Sequence, residues 1–286
     1  LYVPGMFRYQ YRLMPPQWPF SGWLGQYSEL GNLNWQRAIG ASNANVYNSD
    51  AELLHDVAVS PDGDYVYAVG TNTTSTFITL IIKYDKDGNI QWKKEWGSGS
   101  SQENVYARGV NSNGDLFFGG VFMMVPSGAY YAYMVKLNSS GVIQQQHLFG
   151  QEMHSIRDIV VDDNDNVYTC GSGVNSGVQS AYVVKYDNLG QVVWQKKISR
   201  GSGYNEALES LAVDSSGNVY AAGYSNPNSG DGVLVKLNSS GTVQYSKYVG
   251  SSGEYSTIGI ACDRDDNVYV VGKDSTNQTS GRDFLI

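Results

Sequence analysis

The chain repeats itself about every fifty residues, and that period constrains its fold more than any other feature. Tyr67-Ala68-Val69-Gly70, Phe117-Phe118-Gly119-Gly120, Tyr168-Thr169-Cys170-Gly171, Tyr220-Ala221-Ala222-Gly223 and Tyr269-Val270-Val271-Gly272 end in glycines 50, 51, 52 and 49 residues apart. A tandem period of this length gives one supersecondary element group per copy, whose apolar faces are covered by the neighbouring copies, as in solenoids and propellers.

Each repeat reads as two hairpins. The first opens with an apolar strand, as in Asp56-Val57-Ala58-Val59, Asp158-Ile159-Val160-Val161 and Ser210-Leu211-Ala212-Val213. A turn follows: Pro61-Asp62-Gly63, Ser112-Asn113-Gly114, Asp163-Asn164-Asp165, Ser215-Ser216-Gly217 or Arg264-Asp265-Asp266. These are residue types that tolerate positive φ. The returning strand carries the Tyr/Phe-x-x-Gly signature. The second hairpin opens with a strand ending Ile82-Lys83-Tyr84-Asp85, Val135-Lys136-Leu137-Asn138, Val184-Lys185-Tyr186-Asp187 or Val235-Lys236-Leu237-Asn238. A turn glycine comes next (Gly88, Gly141, Gly190, Gly241), and four residues later Trp92, Gln145, Trp194 or Tyr245.

Four short antiparallel strands per repeat, with no helical periodicity, predict an all-β fold of β-propeller blades. The complete repeats span 53–97, 106–150, 156–198 and 208–250, flanked by partial copies in 1–40 and 257–286. Leu1 to Gly5 parallels Val268 to Gly272, and Asp283 to Ile286 parallels the start of a second hairpin. The expectation is one domain over 1–286, entered and left in mid-repeat, both ends continuing in a longer chain, with six to seven blades in the full ring. The recurrent Tyr, Phe and Trp are expected to fill the layers between blades.

Composition narrows the functional classes. A net charge of −8 and pI near 4.8 argue against nucleic acid, which calls for a basic face. No apolar run is long enough for a membrane-spanning helix. Cys170 and Cys262 fall at different points of different repeats and read as free core thiols. No leader peptide is visible, and residue 1 is leucine.

Motifs for chemistry are sparse. His55, His147 and His154 sit at unrelated repeat positions, and no zinc spacing, nucleophile elbow or sialidase-type Asp box occurs. No catalytic or cofactor-binding residue is assigned. Asp162, Asn164 and Asn166, and likewise Asp263, Asp265 and Asn267, have the alternate-residue spacing of calcium loops. They lack the loop's glycine and distal glutamate, so they are candidate calcium ligands beside the plain reading of hairpin turns. Lys83, Lys136, Lys185 and Lys236 are expected to bury their stems and pair with carboxylates of neighbouring blades. Asn-x-Ser/Thr triplets begin at Asn72, Asn138, Asn238 and Asn277.

The pattern Asp/Asn-Ser-x-Gly-Asn-Val-Tyr…Gly, then Val-Lys-Tyr-Asp-x-x-Gly-x-x-x-Trp, matched most closely by Asp214 to Gly223 and by Val184 to Trp194, resembles the seven-bladed propeller repeat of bacterial and viral proteins. Phe117 and Gln145 depart from it. Members are secreted or surface proteins, and arrays similar in style, including a strand like Trp35-Gln36-Arg37, occur in virion proteins of phages of marine cyanobacteria. The Tyr-Asp-x-x-Gly-x-x-x-Trp hairpin is also similar to the tryptophan-docking repeat of quinoprotein dehydrogenases, whose calcium-bearing cofactor pocket has no separate motif here.

Variation is concentrated between the second and third strands of each repeat: Thr71 to Thr76, Val121 to Tyr130, Gly173 to Ser180, Ser225 to Asp231 and Lys273 to Gly281. Met123, Met124, Tyr130 and Tyr131 make one of these segments apolar, and the N-terminal insert carries Trp18, Phe20 and Trp23. These seven are the candidate partner-binding residues, because binding residues gather on variable segments held by a rigid frame. The resemblance and this distribution imply a non-enzymatic structural and recognition propeller, a phage tail or fibre component in a virion. Its expected partners are neighbouring subunits, or a glycan or protein of a host surface. The alternative is a secreted or surface bacterial propeller enzyme or carbohydrate-binding protein with its site at a central funnel.

Overall fold

The computed structural model describes residues 2–8, 20–39, 52–72, 78–97, 102–124, 127–150, 153–175, 177–201, 203–226, 231–249, 255–274 and 283–285. None of them is helical. The chain divides into two compact units, Leu1–Tyr130 with Met134–His147, and Tyr131–Tyr133 with Leu148–Ile286.

Four complete sheets have four strands each. They are β4 (Glu52–Val59), β5 (Tyr65–Asn72), β6 (Ile78–Asp85) and β7 (Ile90–Trp96); β8 (Gln102–Val110), β9 (Leu116–Met124), β10 (Ala129–Leu137) and β11 (Ile143–Leu148); β12 (Ser155–Val161), β13 (Val167–Asn175), β14 (Val178–Tyr186) and β15 (Val192–Ile198); and β16 (Asn205–Val213), β17 (Val219–Asn226), β18 (Asp231–Leu237) and β19 (Val243–Val249). Each is an antiparallel meander in chain order. The leading copy supplies β1 (Tyr2–Arg8), β2 (Phe20–Tyr27) and β3 (Leu33–Ile39), which match the second to fourth strands of a repeat. The trailing copy supplies β20 (Tyr255–Cys262), β21 (Val268–Asp274) and β22 (Asp283–Leu285), matching the first to third. A single parallel bridge, Ser21 to Glu52, joins the leading sheet to the next.

The signature glycine has a specific task. Opposite Gly70, Gly120, Gly171 and Gly223 the first strand of the sheet carries a β-bulge, at Leu54/Asp56, Val105/Ala107, Ile156/Asp158 and Leu208/Ser210. A Cβ on these glycines would lie 1.8–2.0 Å from a carbonyl oxygen of that strand. The bulge presses backbone against backbone, and only glycine leaves room.

The signature aromatic, the recurrent lysine and the outer-strand tryptophan form one row across three strands. Tyr67, Lys83 and Trp92 are register partners, as are Tyr168, Lys185 and Trp194. The ammonium lies over the tyrosine ring, at 5.3 Å from its centroid for Lys83 and 5.0 Å for Lys185. The expected carboxylate of a neighbouring sheet is replaced: Lys83 Nζ donates to the Ser139 carbonyl of the next sheet at 3.0 Å, and Lys136 pairs at 3.0 Å with Asp115 of its own sheet. Desolvation of the ammonium is offset by the ring face and a nearby acceptor.

Seams between sheets repeat the same device. Trp35 Nε1 donates to the Lys86 carbonyl, Trp92 Nε1 to Ser139 and Trp194 Nε1 to Ser239, each in the second tight turn of the following sheet. The turn glycine lies against the indole, so that a Cβ on Gly88 would meet Trp35 at 2.7 Å and one on Gly241 would meet Trp194 at 2.6 Å. In the C-terminal unit this seam belongs to a core that includes Tyr168, Cys170, Val183, Leu208, Ala221 and Val235. In the N-terminal unit Leu24, Val66, Ala68, Leu80 and Tyr84 play the same part. Cys170 is buried and Cys262 half-buried, both free, and burial pushes the Cys170 thiol well up.

Candidate functional site

Antiparallel order gives every sheet two unlike edges. The tight turns between first and second and between third and fourth strands lie on one. The connections between second and third strands, and the links onward to the next sheet, lie on the other.

The tight-turn edge is chemically occupied. A carboxylate or amide oxygen on the first turn residue accepts the backbone N–H groups two and four residues on. Asp85 does so with Asp87 and Asn89, Asn138 with Ser140 and Val142, Asp187 with Leu189 and Gln191, Asp214 with Ser216 and Asn218, and Asn238 with Ser240 and Thr242. The candidate calcium residues are members of this series. Asp162 accepts from the backbone of Asn164 and Asn166, from Asn166 Nδ2 at 2.8 Å and from Tyr168 Oη at 3.0 Å. Asp263 repeats this with Asp265, Asn267 and Tyr269. The two asparagines turn their amide nitrogens inward as donors, and the carboxylate oxygens are already filled. Asp165 and Asp266 stand at φ of 61° and 62° where the other turns place glycine, which aspartate tolerates better than most residues. Capping by itself accounts for this spacing. Among the described residues no group of three or more His, Cys, Asp and Glu side chains is gathered as a metal site.

These donors hold Asp85 and Asp263 below the ordinary carboxylate range, through Asn89 for the first and Asn267 for the second. Three glycosylation triplets are similarly committed or covered: Asn138 and Asn238 cap their turns, and Asn72 is buried with its amide on Glu95 at 2.7 Å. Asn277 lies outside the described residues.

At the opposite edge two of the expected loops, Val121 to Tyr130 and Gly173 to Ser180, prove to be largely strand. Gly173 pairs with Ser180, Val174 with Gln179 and Asn175 with Val178, because alternating apolar and polar residues carry the hairpin outward. Met123 and Met124 end β9, and Tyr130 and Tyr131 open β10, so all four are strand residues and not loop residues. Ser127 Oγ and Gly128 N donate to the Met124 carbonyl and close the hairpin. Met124 and Tyr130 are 41% and 51% exposed, while Met123 and Tyr131 are half-buried. Trp23 is also a strand residue, half-buried in the middle of β2 and lying over Gly25. Phe20 opens β2 opposite Arg8. The Trp18 assignment lies outside the described residues.

Sequence reading missed two further rows. The residue extruded by each bulge is His55, Tyr106, Arg157 and Glu209. In the C-terminal unit Arg157 and Glu209 approach to 3.9 Å, each about 30% exposed. The signal was present in the sequence as a polar residue fourteen or fifteen positions before each signature glycine. The second row is acidic: Glu52, Glu103 and Glu206 open or nearly open their sheets' first strands. Glu206 is fully buried and accepts from Arg200 N at 2.8 Å and Tyr248 Oη at 3.2 Å. The Arg200 guanidinium is packed against Tyr204 and Tyr248 and pairs with Asp231. His147 and His154 are half-buried, and His55 bonds Thr71 at 2.9 Å.

The repeat and the fold have relatives among known proteins. Residues 244–273 match the family described as beta-propeller repeat. The chain has a propeller fold of four-stranded antiparallel sheets. Over 159 residues it is 26% identical to the regulatory protein FlaEY of Caulobacter vibrioides; the match covers 48% of this chain and spans only 16% of that protein's length. Among solved structures it is similar to a polysaccharide lyase, an ulvan lyase bound to a sulfated disaccharide repeat, with TM-score 0.57 and 9% identity over 95% of this chain and 70% of that one. A protein of unknown function from Dyadobacter fermentans gives TM-score 0.55 and 11% identity over 78% and 75%. A glucose dehydrogenase gives 0.51 and 10% over 91% and 92%. At such identities the likeness is one of fold.

Proposed function

We propose that this chain is a non-enzymatic structural and recognition propeller, a tail or fibre component of a phage virion, whose array closes into a ring of six or seven sheets. Its partners are neighbouring subunits, or a glycan or protein on a host surface. The observation that carries the recognition reading is the β9–β10 hairpin, which leaves Met124 and Tyr130 about half exposed at the end of two paired strands. A flexible thioether beside a rigid amphipathic ring suits an adaptable contact. The virion placement draws on the style of the repeat. The test is retention of fluorescently labelled protein on intact bacterial cells and on purified tail assemblies. Met124→Ser with Tyr130→Ser is expected to cut retention about tenfold at unchanged melting temperature; equal retention overturns the assignment.

A second reading, a secreted propeller enzyme or carbohydrate-binding protein, is favoured by the polar residues extruded from the first strands. Arg157→Ala and Glu209→Ala separate the two: loss of oligosaccharide binding or turnover in these variants, with cell retention intact, supports the second.

A further inference from the structure

Among the described residues the last strand of the leading copy and of each complete sheet pairs on one side only, and five such strands can be compared: β3, β7, β11, β15 and β19. A free edge offers a row of N–H and C=O groups to any passing strand, and lysine on the edge is the common protection. Four of the five carry it or its equivalent. β3 has Arg37, β7 has Lys93 and Lys94, β15 has Lys196 and Lys197, and β19 has Lys247. β11 reads Ile143-Gln144-Gln145-Gln146-His147-Leu148 and has none. No Asp, Glu, Lys or Arg stands between Lys136 and Glu152. The segment is also apolar at its ends and open to solvent: Val142 is 53%, Ile143 45% and Leu148 58% exposed.

We propose that β11 is a self-association edge, pairing antiparallel with β11 of a second copy of this chain. The argument for a second copy is self-complementarity. An antiparallel pair centred on Gln145 sets Gln144 of one copy opposite Gln146 of the other, Ile143 opposite His147, and Val142 opposite Leu148. Glutamine meets glutamine across the axis, as in side-chain amide ladders, and exposed apolar residues meet at both ends. The same operation on β7 sets Lys93 against Lys93, and on β15 it brings the lysines of both copies into one seam. The strand is held ready for pairing: Gln146 accepts from Trp96 Nε1 at 3.1 Å, and Asn138 caps the turn that leads into β11. The pairing is isologous and closes at a dimer. It uses the outer strand and does not depend on the function proposed above.

Sedimentation velocity on the full chain, from about 1 to 100 µM, tests it. The expected result is a monomer–dimer equilibrium that Gln145→Lys weakens at least about tenfold. Ser246→Lys, at the centre of the protected β19, is expected to leave it unchanged. A second arm places cysteine at the axis. Gln145→Cys in a Cys262→Ser background should give a covalent dimer on mild oxidation, since directly opposed residues bring Cβ atoms within disulfide reach, whereas Ser246→Cys should not. A monomer throughout the range overturns the proposal, as does a Gln145→Lys dimer as tight as wild type, or equal cross-linking at 246. Binding of an added strand peptide by a chain that stays monomeric overturns it too, since the edge then takes a foreign strand.

Discussion

The two edges of each sheet are built from the same residue types and put to opposite uses. At the tight-turn edge Asp, Asn, Ser and Gly are fully engaged: oxygens cap N–H groups, glycines adopt positive φ, and in the seams glycine also receives an indole from the neighbouring sheet. At the other edge the strands run outward to turns such as that at Gly128, where φ is +70° and nothing lies within 4 Å of an added Cβ. The lesson is that a repeat position is informative about architecture where its side chain is enclosed, and free to vary where it is not. The most damaging change should therefore be at an enclosed glycine. Gly223→Ala puts a methyl 2.0 Å from the Ala207 carbonyl and 2.7 Å from Leu208 Cα. A backbone bulge cannot move aside cheaply, so the expected loss is more than about 3 kcal/mol, read by chemical unfolding or by failure to recover soluble protein. Gly128→Ala should cost only about 1 kcal/mol, the strain of a left-handed alanine. Equal losses at the two sites would break the comparison.

The seam gives the next largest effect. Trp194→Ala removes the indole over Gly241 and its bond to Ser239, an expected loss of about 3 kcal/mol. Gly241→Ala attacks the same contact from the other side, with a methyl 2.6 Å from the ring, and is expected to cost about 2 kcal/mol. The double substitution should then cost about 1 kcal/mol less than the sum, because the cavity left by the indole admits the methyl. Additivity would mean that ring and glycine do not meet. Gly63→Ala is the control, at similar φ with open space around it.

Much of this was legible in the sequence, and the limits are physical. The number and order of strands, the turn residues and the strands missing from the two partial copies follow from period-two alternation and glycine spacing. The bulge was not legible, because it lies on the first strand while its signature lies on the second; only pairing puts Gly70 against Leu53 and Leu54. The partner of the recurrent lysines was misjudged for a related reason. Opposite charge suggested a carboxylate of a neighbouring sheet, but Lys83 meets the rings of Tyr65 and Tyr67 and the Ser139 carbonyl, Lys185 the ring of Tyr168, and Lys136 a carboxylate of its own sheet. The lengths of the connections were overestimated: Gly, Ser and Asn read as loop residues at 173–180, yet most of that stretch is paired. As for the candidate site, sequence located the β9–β10 tip, while the recurring polar positions of His55, Arg157 and Glu209 gain their meaning as extruded residues only from the register.

Acid should weaken the turn edge selectively. Asp85 and Asp263 are held below the ordinary value of 3.8 by the N–H donors they cap. A depressed carboxylate lends stability that is present above its unfolded value and is lost as pH falls through its folded one. The thermal midpoint is therefore expected to be flat from about pH 7 to 5 and to drop below about pH 4. Asp85→Asn keeps an acceptor for the backbone of Asp87 and Asn89 and cannot titrate, so its acid limb should be shallower. An identical limb would show that other groups govern it.

The smallest effect on stability is expected where the effect on recognition is largest. Met124 and Tyr130 stand half in solvent at the end of a hairpin whose closure depends on Ser127 Oγ, Gly128 N and the Met124 backbone carbonyl, none of which a side-chain substitution removes. Met124→Ser and Tyr130→Ser should each change stability by less than about 0.5 kcal/mol. A loss of 2 kcal/mol or more, about what burial of such a side chain contributes, would mean that the pair packs inward as part of the frame. The contrast between the edges would then fail at the hairpin on which the recognition reading stands. Stability unchanged and retention on cells reduced would instead separate the two roles within one sheet, frame at the turn edge and contact at the other.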